Sequence, residues 1–334
     1  MEVYGLSRRD LEPFIGGKSK ISEVLAGKRP LTLDMIRRLH VGLGIPLDTL
    51  VGDMSQTRES SRISDSVARE MIVRGWLRRD CRPEELPDEI RQWLENCGIA
   101  QAVPAFCTRG STRLGMRGDP GGILVWVGGV RTVAASLPMA ARFEKQRLDA
   151  TFFRGLTRLS AKPDGPALAA EYLAGFGIRL VVLRHFPGTY LDGAALFAPD
   201  GGAVAGLSLR HDRLDNFWFT LLHELAHLAL GHVAPGGFLV DDLDVRSMDD
   251  IEEQANAMAS EMLIPGSLWD DTPPSRRGQM DFVLQTAAVL EIDPAIVAGR
   301  VRRETGNYKL FSRIVGSREV RRHFPRWGMS RLDG

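Results

Sequence analysis

The sequence predicts an α+β protein of more than one domain, and three features lead to that prediction. Short helical segments joined by glycines fill the N-terminal part of the chain. A strand and a hairpin are predicted further on, and a long apolar helix with two histidines and a glutamate follows them. With 334 residues, the chain is long enough for two or three domains with sizeable cores.

The N-terminal residues 1–53 hold four short helical segments separated by glycines. Ser7 is the predicted N-cap of the first helix. The second helix runs from Lys18 to Gly27, and Thr32 caps the third. Short helices joined by a glycine-containing turn are typical of a helix-turn-helix, so this segment is predicted to be an all-α module of that kind.

Residues 54–150 are predicted to form a linker and then a mainly helical middle region. The linker is the polar segment, rich in Ser and Arg, that ends near Ser66. Helical patterns and one Gly-rich apolar stretch (121–136) follow it, with the helices at 67–79, 84–97 and 138–150. The pattern in this region indicates no particular chemistry.

Residues 151–325 are predicted to form an α+β domain that ends in a basic tail. A strand at 178–184 precedes a hairpin that turns at Asp200-Gly-Gly. We expect the second hairpin strand, 203–209, to be an exposed edge that accepts an extended peptide. The helices of this domain are predicted at 164–175, around the two histidines, and at 249–263, 278–291 and 294–304.

The histidine-bearing helix carries a predicted metal centre. His223 and His227 are four residues apart, so their rings lie on one helical face. Two neutral ring nitrogens at that spacing can bind one metal ion, and Glu224 can reach a water beside it. The alternative is a core helix with two satisfied histidines. That alternative is weaker because polar groups without partners in so apolar a helix would each cost a few kcal/mol.

A catalytic zinc site takes three protein ligands, so a third ligand is needed. Glu252 lies at the edge of a predicted buried stripe, and Asn256 one turn later could orient its carboxylate. Glu253 is expected to face solvent. The spacing of His232 favours a supporting position behind the ligands or at the helix end. The predicted buried stripe consists of Ile251, Ala255, Met258 and Met262.

These residues predict a hydrolytic mechanism. The metal polarises a water, and Glu224 takes a proton from it. The resulting hydroxide attacks a carbonyl, and Glu224 then protonates the leaving amine. Tyr190, Arg210 and His211 lie upstream in places from which one could stabilise the oxyanion, and the sequence does not decide among them.

The segment from Gly206 to His227, followed by Glu252-x-x-Ala-Asn256, resembles the ImmA/IrrE metallopeptidases. The resemblance covers residues 150–325. It implies a thermolysin-like zincin domain with Glu252 as the third ligand of zinc, and manganese is the other metal considered. For some members of the family it also implies cleavage of a transcriptional repressor under stress or during phage induction.

Residues 6–51 are similar to the helix-turn-helix of HigA-like antitoxins, which is of the XRE or phage-repressor type. That family has a helix before the position of Leu6, so the first helix of the module is expected to be missing. Residues 1–52 carry eight basic against six acidic side chains, so a dimerisation or partner-docking module stays open beside DNA binding. The resemblance implies DNA contacts from Lys18, Ser19, Lys20 and Ser22, with Lys28 and Arg29 on the backbone.

The amino-acid composition indicates which partners and which cellular compartment to expect. The 43 basic and 42 acidic residues leave a net charge of +1, so no global field favours nucleic acid or membrane. The three cysteines, which include Cys107, form no C-x-x-C pair and are expected to be reduced thiols. With no apolar run long enough for a membrane span, the chain is expected to be cytoplasmic.

The leading hypothesis is a zinc-dependent endopeptidase coupled to a DNA-binding module. Its expected partners are a protein substrate of the repressor or antitoxin type and a DNA operator, with a homodimer as a further option. It would act in stress, phage or toxin–antitoxin regulation. One alternative is a DNA-binding antitoxin or regulator whose peptidase-like domain is a sensor or scaffold. Another is a purely structural zinc site.

Overall fold

The computed structural model describes residues 10–25, 31–43, 63–99, 119–241, 250–316 and 318–324. The chain divides into two compact units, Met1–Arg62 and Ile63–Gly334. Among the described residues, no helix is long and apolar enough to cross a membrane.

The first unit is helical over its described residues and contains α1 (Glu12–Ile15), α2 (Lys18–Leu25) and α3 (Leu33–Leu43). Gly16, at φ 104°, ends α1 in a conformation that favours glycine. The backbone N–H of Met35 donates to Oγ1 of Thr32 at 3.3 Å, so the predicted cap of α3 is confirmed. The small core consists of Leu11, Ile15, Ile21 and Leu39.

The first helix starts later than predicted, because α1 begins at Glu12 with Leu11 at the N-cap position and not after Ser7. The end of the second helix at Gly27 and the fourth helix, predicted from Pro46 onward, fall outside the described residues and stay predictions.

The second unit combines sixteen α-helices and strands over its described residues. In chain order they begin with α4 (Asp65–Val73), α5 (Leu86–Asn96), α6 (Pro120–Ser136), α7 (Ala150–Arg158), α8 (Gly165–Ala174), β1 (Ile178–Val182), β2 (Gly193–Phe197), β3 (Ala203–Leu207) and α9 (Leu214–Leu230). They continue with β4 (Phe238–Asp241), α10 (Asp250–Leu263), α11 (Gly266–Asp270), α12 (Pro274–Arg277), α13 (Met280–Leu290), α14 (Pro294–Thr305) and α15 (Ser312–Val315).

The four strands form one sheet in the order β1-β3-β2-β4. β3 pairs in parallel with β1 and antiparallel with β2, and β4 pairs antiparallel with β2. The predicted hairpin is confirmed, and its turn is held by the N–H of Gly202, which donates to Oδ1 of Asp200 at 3.0 Å. The α+β class follows from this sheet and the helices around it.

The expectation that residues 203–209 form an exposed edge is wrong. β3 is an inner strand with hydrogen-bonded neighbours on both sides. The side of β3 that was expected to be free is hydrogen-bonded to β1, which lies earlier in the chain and runs parallel to β3. β1 and β4 are the edges of the sheet as described, and β4 was not predicted from the sequence.

The sheet is buried on both faces, as the alternation along β3 illustrates. Ala203, Ala205 and Leu207 belong to the larger core, which contains α9, whereas Val204 belongs to a second core with α4, α5 and α6. Successive strand residues point to opposite faces, so one inner strand contributes to both cores. The unit is therefore layered as helices, sheet and helices.

Glycines inside α6 allow aromatic rings to approach the helix backbone. A Cβ at Gly129 would overlap the ring of Trp76, and a Cβ at Gly128 would lie 2.7 Å from Cζ3 of Trp93. The two indoles stack with centroids 5.0 Å apart. The Gly-rich apolar stretch at 121–136 therefore forms a helix that is buried from Gly121 to Arg131.

The helix predicted over 138–150 is wrong. The only regular element there is a 3-10 turn at Lys145–Arg147. Asp149 instead caps α7 by accepting from the N–H groups of Thr151 and Phe152, both at 2.9 Å. A capping residue has extended backbone angles, so the preceding segment cannot continue as a helix into α7.

The structure places residues 63–136 in the same unit as the sheet and the histidine-bearing helix. The functional boundaries at 53/54 and 150/151 stay predictions. Cys81 and Cys97 are free thiols, and Cys107 lies outside the described residues.

Candidate metal centre

The candidate site is built on α9, which lies between the sheet on one side and α10 and α14 on the other. The helix starts after Arg213, whose backbone is extended, and ends at Gly231 with φ 78°. His223, Glu224 and His227 are each 0% exposed. A helix that is apolar all round is expected to be buried, and here it buries three ionisable side chains with it.

Three side-chain donor atoms converge between α9 and α10. Nε2 of His223 lies 3.0 Å from Nε2 of His227. Oε2 of Glu252 lies 3.3 Å from the first nitrogen and 3.6 Å from the second. All three residues are buried, and together they could hold a metal ion.

The spacing of these donor atoms fits one small cation. For metal–ligand bonds of about 2.0–2.1 Å, two ligand atoms of a tetrahedral site are about 3.3 Å apart. The observed separations of 3.0, 3.3 and 3.6 Å bracket that value. Two imidazoles and one carboxylate are also a donor set that zinc accepts in open, three-ligand sites.

Glu252 lies closer to the centre of the buried face of α10 than the sequence indicated. The predicted stripe is displaced by about one position, because Ile251, Met258 and Met262 are only partly buried. Glu253 is exposed, as expected. The buried face consists of Glu252, Ala255, Ala259 and Leu263.

His232 lies behind the histidine pair. Its Nδ1 is 3.0 Å from Nδ1 of His227, and its Nε2 is 3.4 Å from Oε1 of Gln254. One of the two facing Nδ1 atoms must carry the proton, so the contact constrains the tautomer of His227. With Nδ1 engaged in this way, Nε2 of His227 is directed to the cluster.

Glu224 lies against the sheet. A Cβ at Gly193 would be 2.8 Å from Cδ of Glu224 and would overlap its Oε1. The carboxylate therefore packs directly on the backbone of β2. Since Glu224 follows His223 by one residue, it projects from a neighbouring side of α9, beside the cluster.

Asn256 and Arg210 were also predicted to contribute to this region, and the structure describes the surroundings of both. Asn256 is half-buried one turn after Glu252, and its Oδ1 has no hydrogen-bond partner among the described residues. Arg210 donates to Oδ2 of Asp192 and to the carbonyl of Tyr190, both at 2.9 Å. Its guanidinium is therefore engaged within the loops that flank β2.

The predicted DNA-contacting residues lie in the first unit. Lys20 and Ser22 are exposed on α2, and Lys18 and Ser19 form the first turn of the same helix. Lys28 and Arg29 fall outside the described residues.

Sequence reasoning missed a cleft of about 700 Å³ beside the cluster. It lies among α9, α10 and α14, and its lining includes Phe219 and Arg302. The ring of Phe219 stacks on that of His223, with centroids 6.3 Å apart. The two arginines of Arg300-Val-Arg302 were the sequence signal for this cleft, but their approach to α9 depends on tertiary packing.

The fold and the site define the class of the second unit as an α+β protein with a buried His-His-Glu group that could bind a metal ion. Comparison with known proteins gives a match to one family model. Residues 208–297 match the family model of a peptidase family described as the IrrE N-terminal-like domain. The matched range contains the histidine pair, Glu224, Glu252 and Asn256.

The N-terminal region is similar to curated antitoxins named HigA from Escherichia coli and Shigella flexneri. The identity is 51% over 45 residues, which is 14% of this chain and 32% of each relative. The chain thus spans about a third of the length of these relatives. No solved structure matches the chain. The chain thus combines a segment that matches the IrrE N-terminal-like model with an N-terminal region that is similar to HigA antitoxins.

Proposed function

We propose that the second unit is a zinc-dependent endopeptidase with a thermolysin-like arrangement of its catalytic helix. The observation that carries this proposal is the buried convergence of His223, His227 and Glu252 beside the carboxylate of Glu224. A purely structural metal site needs no fourth ionisable group in this position, whereas a hydrolase needs a base there. The peptidase family match over residues 208–297 supports the same proposal.

The three ligands would be Nε2 of each histidine and a carboxylate oxygen of Glu252. When bound, the cation would supply Lewis-acid polarisation of the substrate carbonyl and lower the pKa of the attacking water. His232 would hold the ring of His227 in the orientation that directs Nε2 to the cluster. Asn256 would help to orient Glu252 from one turn away.

Glu224 would act as the general base and then the general acid. Its carboxylate takes a proton from the water as the oxygen attacks the peptide carbonyl carbon. It then delivers that proton to the nitrogen of the leaving amine as the C–N bond breaks. The contact with Gly193 would keep the carboxylate on the correct side of α9 for both transfers.

The first unit is proposed to bind a DNA operator, and the similarity to HigA antitoxins favours this role. Lys20 and Ser22 are exposed on α2, from where they could reach the major groove and its phosphates. A homodimer is part of the proposal, because dimeric helix-turn-helix proteins read two half-sites. The peptidase substrate would be a repressor or antitoxin-type protein in the cytoplasm.

The same HigA similarity favours one second candidate, a DNA-binding regulator whose peptidase-like unit is a sensor or scaffold. The Glu224→Gln variant separates the two candidates, because an amide keeps the size of the side chain but cannot accept the proton. We expect this variant to fold and bind metal like the parent and to lose peptide cleavage by a factor of at least 100. The measurements are metal content, thermal unfolding and cleavage of a quenched-fluorescent peptide library.

Equal cleavage by the parent and the variant would rule out the peptidase assignment of Glu224. A parent that binds metal and operator DNA but cleaves no peptide would favour the regulator.

A further inference from the structure

The cleft between α9, α10 and α14 has a mixed lining. Leu263, Ile264 and Ile296 give it an apolar floor. Four arginines and two acids line the rest of it, together with Phe219 and Tyr308. The arginines are Arg213, Arg300, Arg302 and Arg303, and the acids are Asp215 and Glu304. Fixed positive charge therefore exceeds fixed negative charge by two in this cleft.

Arg302 is the unusual member of this set, because it is only 7% exposed. Its Nη2 donates to the carbonyl of Tyr308 at 2.7 Å. No described residue accepts a hydrogen bond from its Nε or Nη1. A buried guanidinium with unmade hydrogen bonds is costly unless a ligand completes them. Burial lowers the pKa of Arg302, and nearby Asp215 only partly opposes that effect.

Neither acid of the cleft completes the bonding of Arg302. Asp215 accepts from Nε of Arg213 at 2.9 Å and from its Nη2 at 3.4 Å. Its Oδ2 lies 3.9 Å from Nη1 of Arg302, which is too long for a hydrogen bond. Asp215 is thus committed to its own neighbour, and Gly299, which has no side chain, lets α14 approach it closely.

Glu304 is also fully engaged. It accepts from Nε of Arg300 at 3.1 Å, from Nη1 of Arg277 at 3.2 Å and from Nε1 of Trp269 at 2.9 Å. Arg302 is therefore a surplus cation of the cleft, and its Nε and Nη1 have no acceptor among the described residues.

The cleft is close to the candidate metal centre. Phe219 forms part of its wall and stacks on His223. The guanidinium carbon of Arg303 lies 4.3 Å from the centroid of the Phe219 ring. Asp215 precedes His223 by two helical turns, a distance of about 12 Å along the axis. An extended peptide rises by about 3.3 Å per residue, so three or four residues would span this separation.

We propose that this cleft binds an acidic side chain of the peptide substrate, three or four residues from the scissile bond, and that Nη1 of Arg302 and the second N–H of its Nη2 donate to the carboxylate. The planar guanidinium matches the two carboxylate oxygens, and the apolar floor accepts the methylene groups of the side chain. The inference rests on the proposed peptidase function, to which it adds a substrate preference.

The test uses the metal-loaded full chain and paired peptide libraries. Within each pair, Glu or Gln is fixed at one position from four residues before to four residues after the cleaved bond, in a background without other acids. We expect one position at which the Glu library is cleaved at least about tenfold faster than the Gln library. The Arg302→Gln variant should reduce that ratio to about one, and Arg302→Lys should reduce it partly.

Arg154→Gln is the matched control, because it removes the same charge from an exposed position on α7. It should keep the full Glu preference. Metal content and thermal unfolding of each variant establish that it is folded. If the ratio is about one at every position in the parent, or if Arg154→Gln removes it as completely as Arg302→Gln, the inference fails.

A binding experiment separates this inference from the peptidase proposal. The Glu224→Gln variant retains the cleft, and its Kd is measured for fluorescein-labelled Glu and Gln peptides. A preference of about tenfold for the Glu peptide that Arg302→Gln abolishes supports the anionic subsite even if the parent cleaves no peptide. Equal Kd values for the two peptides overturn it, whatever the cleavage activity.

Discussion

Gly193 of β2 and Glu224 of α9 are packed so closely that a side chain at residue 193 would displace the carboxylate of Glu224. A Cβ there would overlap Oε1 of Glu224 and would lie 2.8 Å from its Cδ and 3.0 Å from its Cγ. Because both residues are buried between helix and sheet, the carboxylate has little room to shift. The strand backbone thus defines the position of the proposed general base.

The Gly193→Ala substitution is expected to displace the carboxylate of Glu224 and to leave the ligand cluster in place. A misplacement of about 1 Å can reduce catalysis about 100-fold, so kcat should fall by 10- to 100-fold at parental metal content. The control is Gly278→Ala, which adds the same methyl group where no atom lies within 4 Å. Parental kcat in the folded Gly193→Ala protein would contradict a positioning role for this contact.

Removal of the third ligand is expected to abolish tight metal binding. The Glu252→Ala protein should retain far less than the about one zinc per chain expected of the parent after dialysis, as measured by plasma mass spectrometry. In the parent, metal at about 1,000 times its Kd should stabilise the fold by about 4 kcal/mol, and the variant should lose this gain. Glu253→Ala is the matched control, because its side chain is exposed on the same helix turn. Unchanged stoichiometry in Glu252→Ala would reassign the ligand to Glu253 or His232.

Loss of the group behind His227 is expected to weaken metal binding without abolishing it. His232→Ala removes the 3.0 Å contact between the two Nδ1 atoms, and such supporting contacts are worth about 10- to 100-fold in metal affinity. Competition with a chromophoric chelator measures the Kd. Gln254→Ala removes only the 3.4 Å contact on the outer nitrogen of His232, so it should change the Kd much less. A Kd for His232→Ala equal to that of the parent would assign His232 a different role.

The ion pair at the hairpin turn is expected to make stability depend on pH. Hydrogen bonds from Arg179 hold the pKa of Asp200 below its usual value, with Asp200 oxygens 3.0 and 2.6 Å from the guanidinium nitrogens. A carboxyl with a depressed pKa in the folded state adds stability above its unfolded pKa and loses it as pH falls through the folded value. Asp200→Asn should therefore cost about 1 kcal/mol near pH 7, because Arg179 is buried while solvent screens the 44% exposed Asp200. That difference should shrink as pH falls below about 4.

Urea unfolding from pH 7 to pH 2 measures this dependence. Asp271→Asn, at an exposed position after α11, is the control and should give a small difference at every pH. A constant difference between the parent and Asp200→Asn across the range would contradict the electrostatic origin.

The elements predicted well from sequence are those whose signals are local. α9, α10 and α14 follow from apolar periodicity with clear ends, such as the left-handed Gly231 after α9 and Pro265 beyond α10. The β2–β3 hairpin follows from the turn residues at Asp200 to Gly202. In each case the hydrogen bonds that form the element join residues that are near in sequence.

The errors concern features without a local signal. β4 has only four residues, too few for an alternating pattern, and it forms because β2 offers it a partner. β3 was expected at an edge, but whether a strand is inner depends on where β1 pairs. The segment 138–150 has helical spacing, yet Asp149 serves the following helix as its cap.

The sequence by itself determined that His223 and His227 share one face of a helix and that Glu224 stands beside them, because the pitch of an α-helix sets these relations within two turns. It also placed Glu253 on the solvent side. Only the tertiary structure decided the approach of Glu252 to both histidines, the contact of His232 with His227, the packing of Gly193 on Glu224 and the surplus charge of Arg302. These relations join separate elements, and burial of apolar surface between helices and sheet brings those elements together.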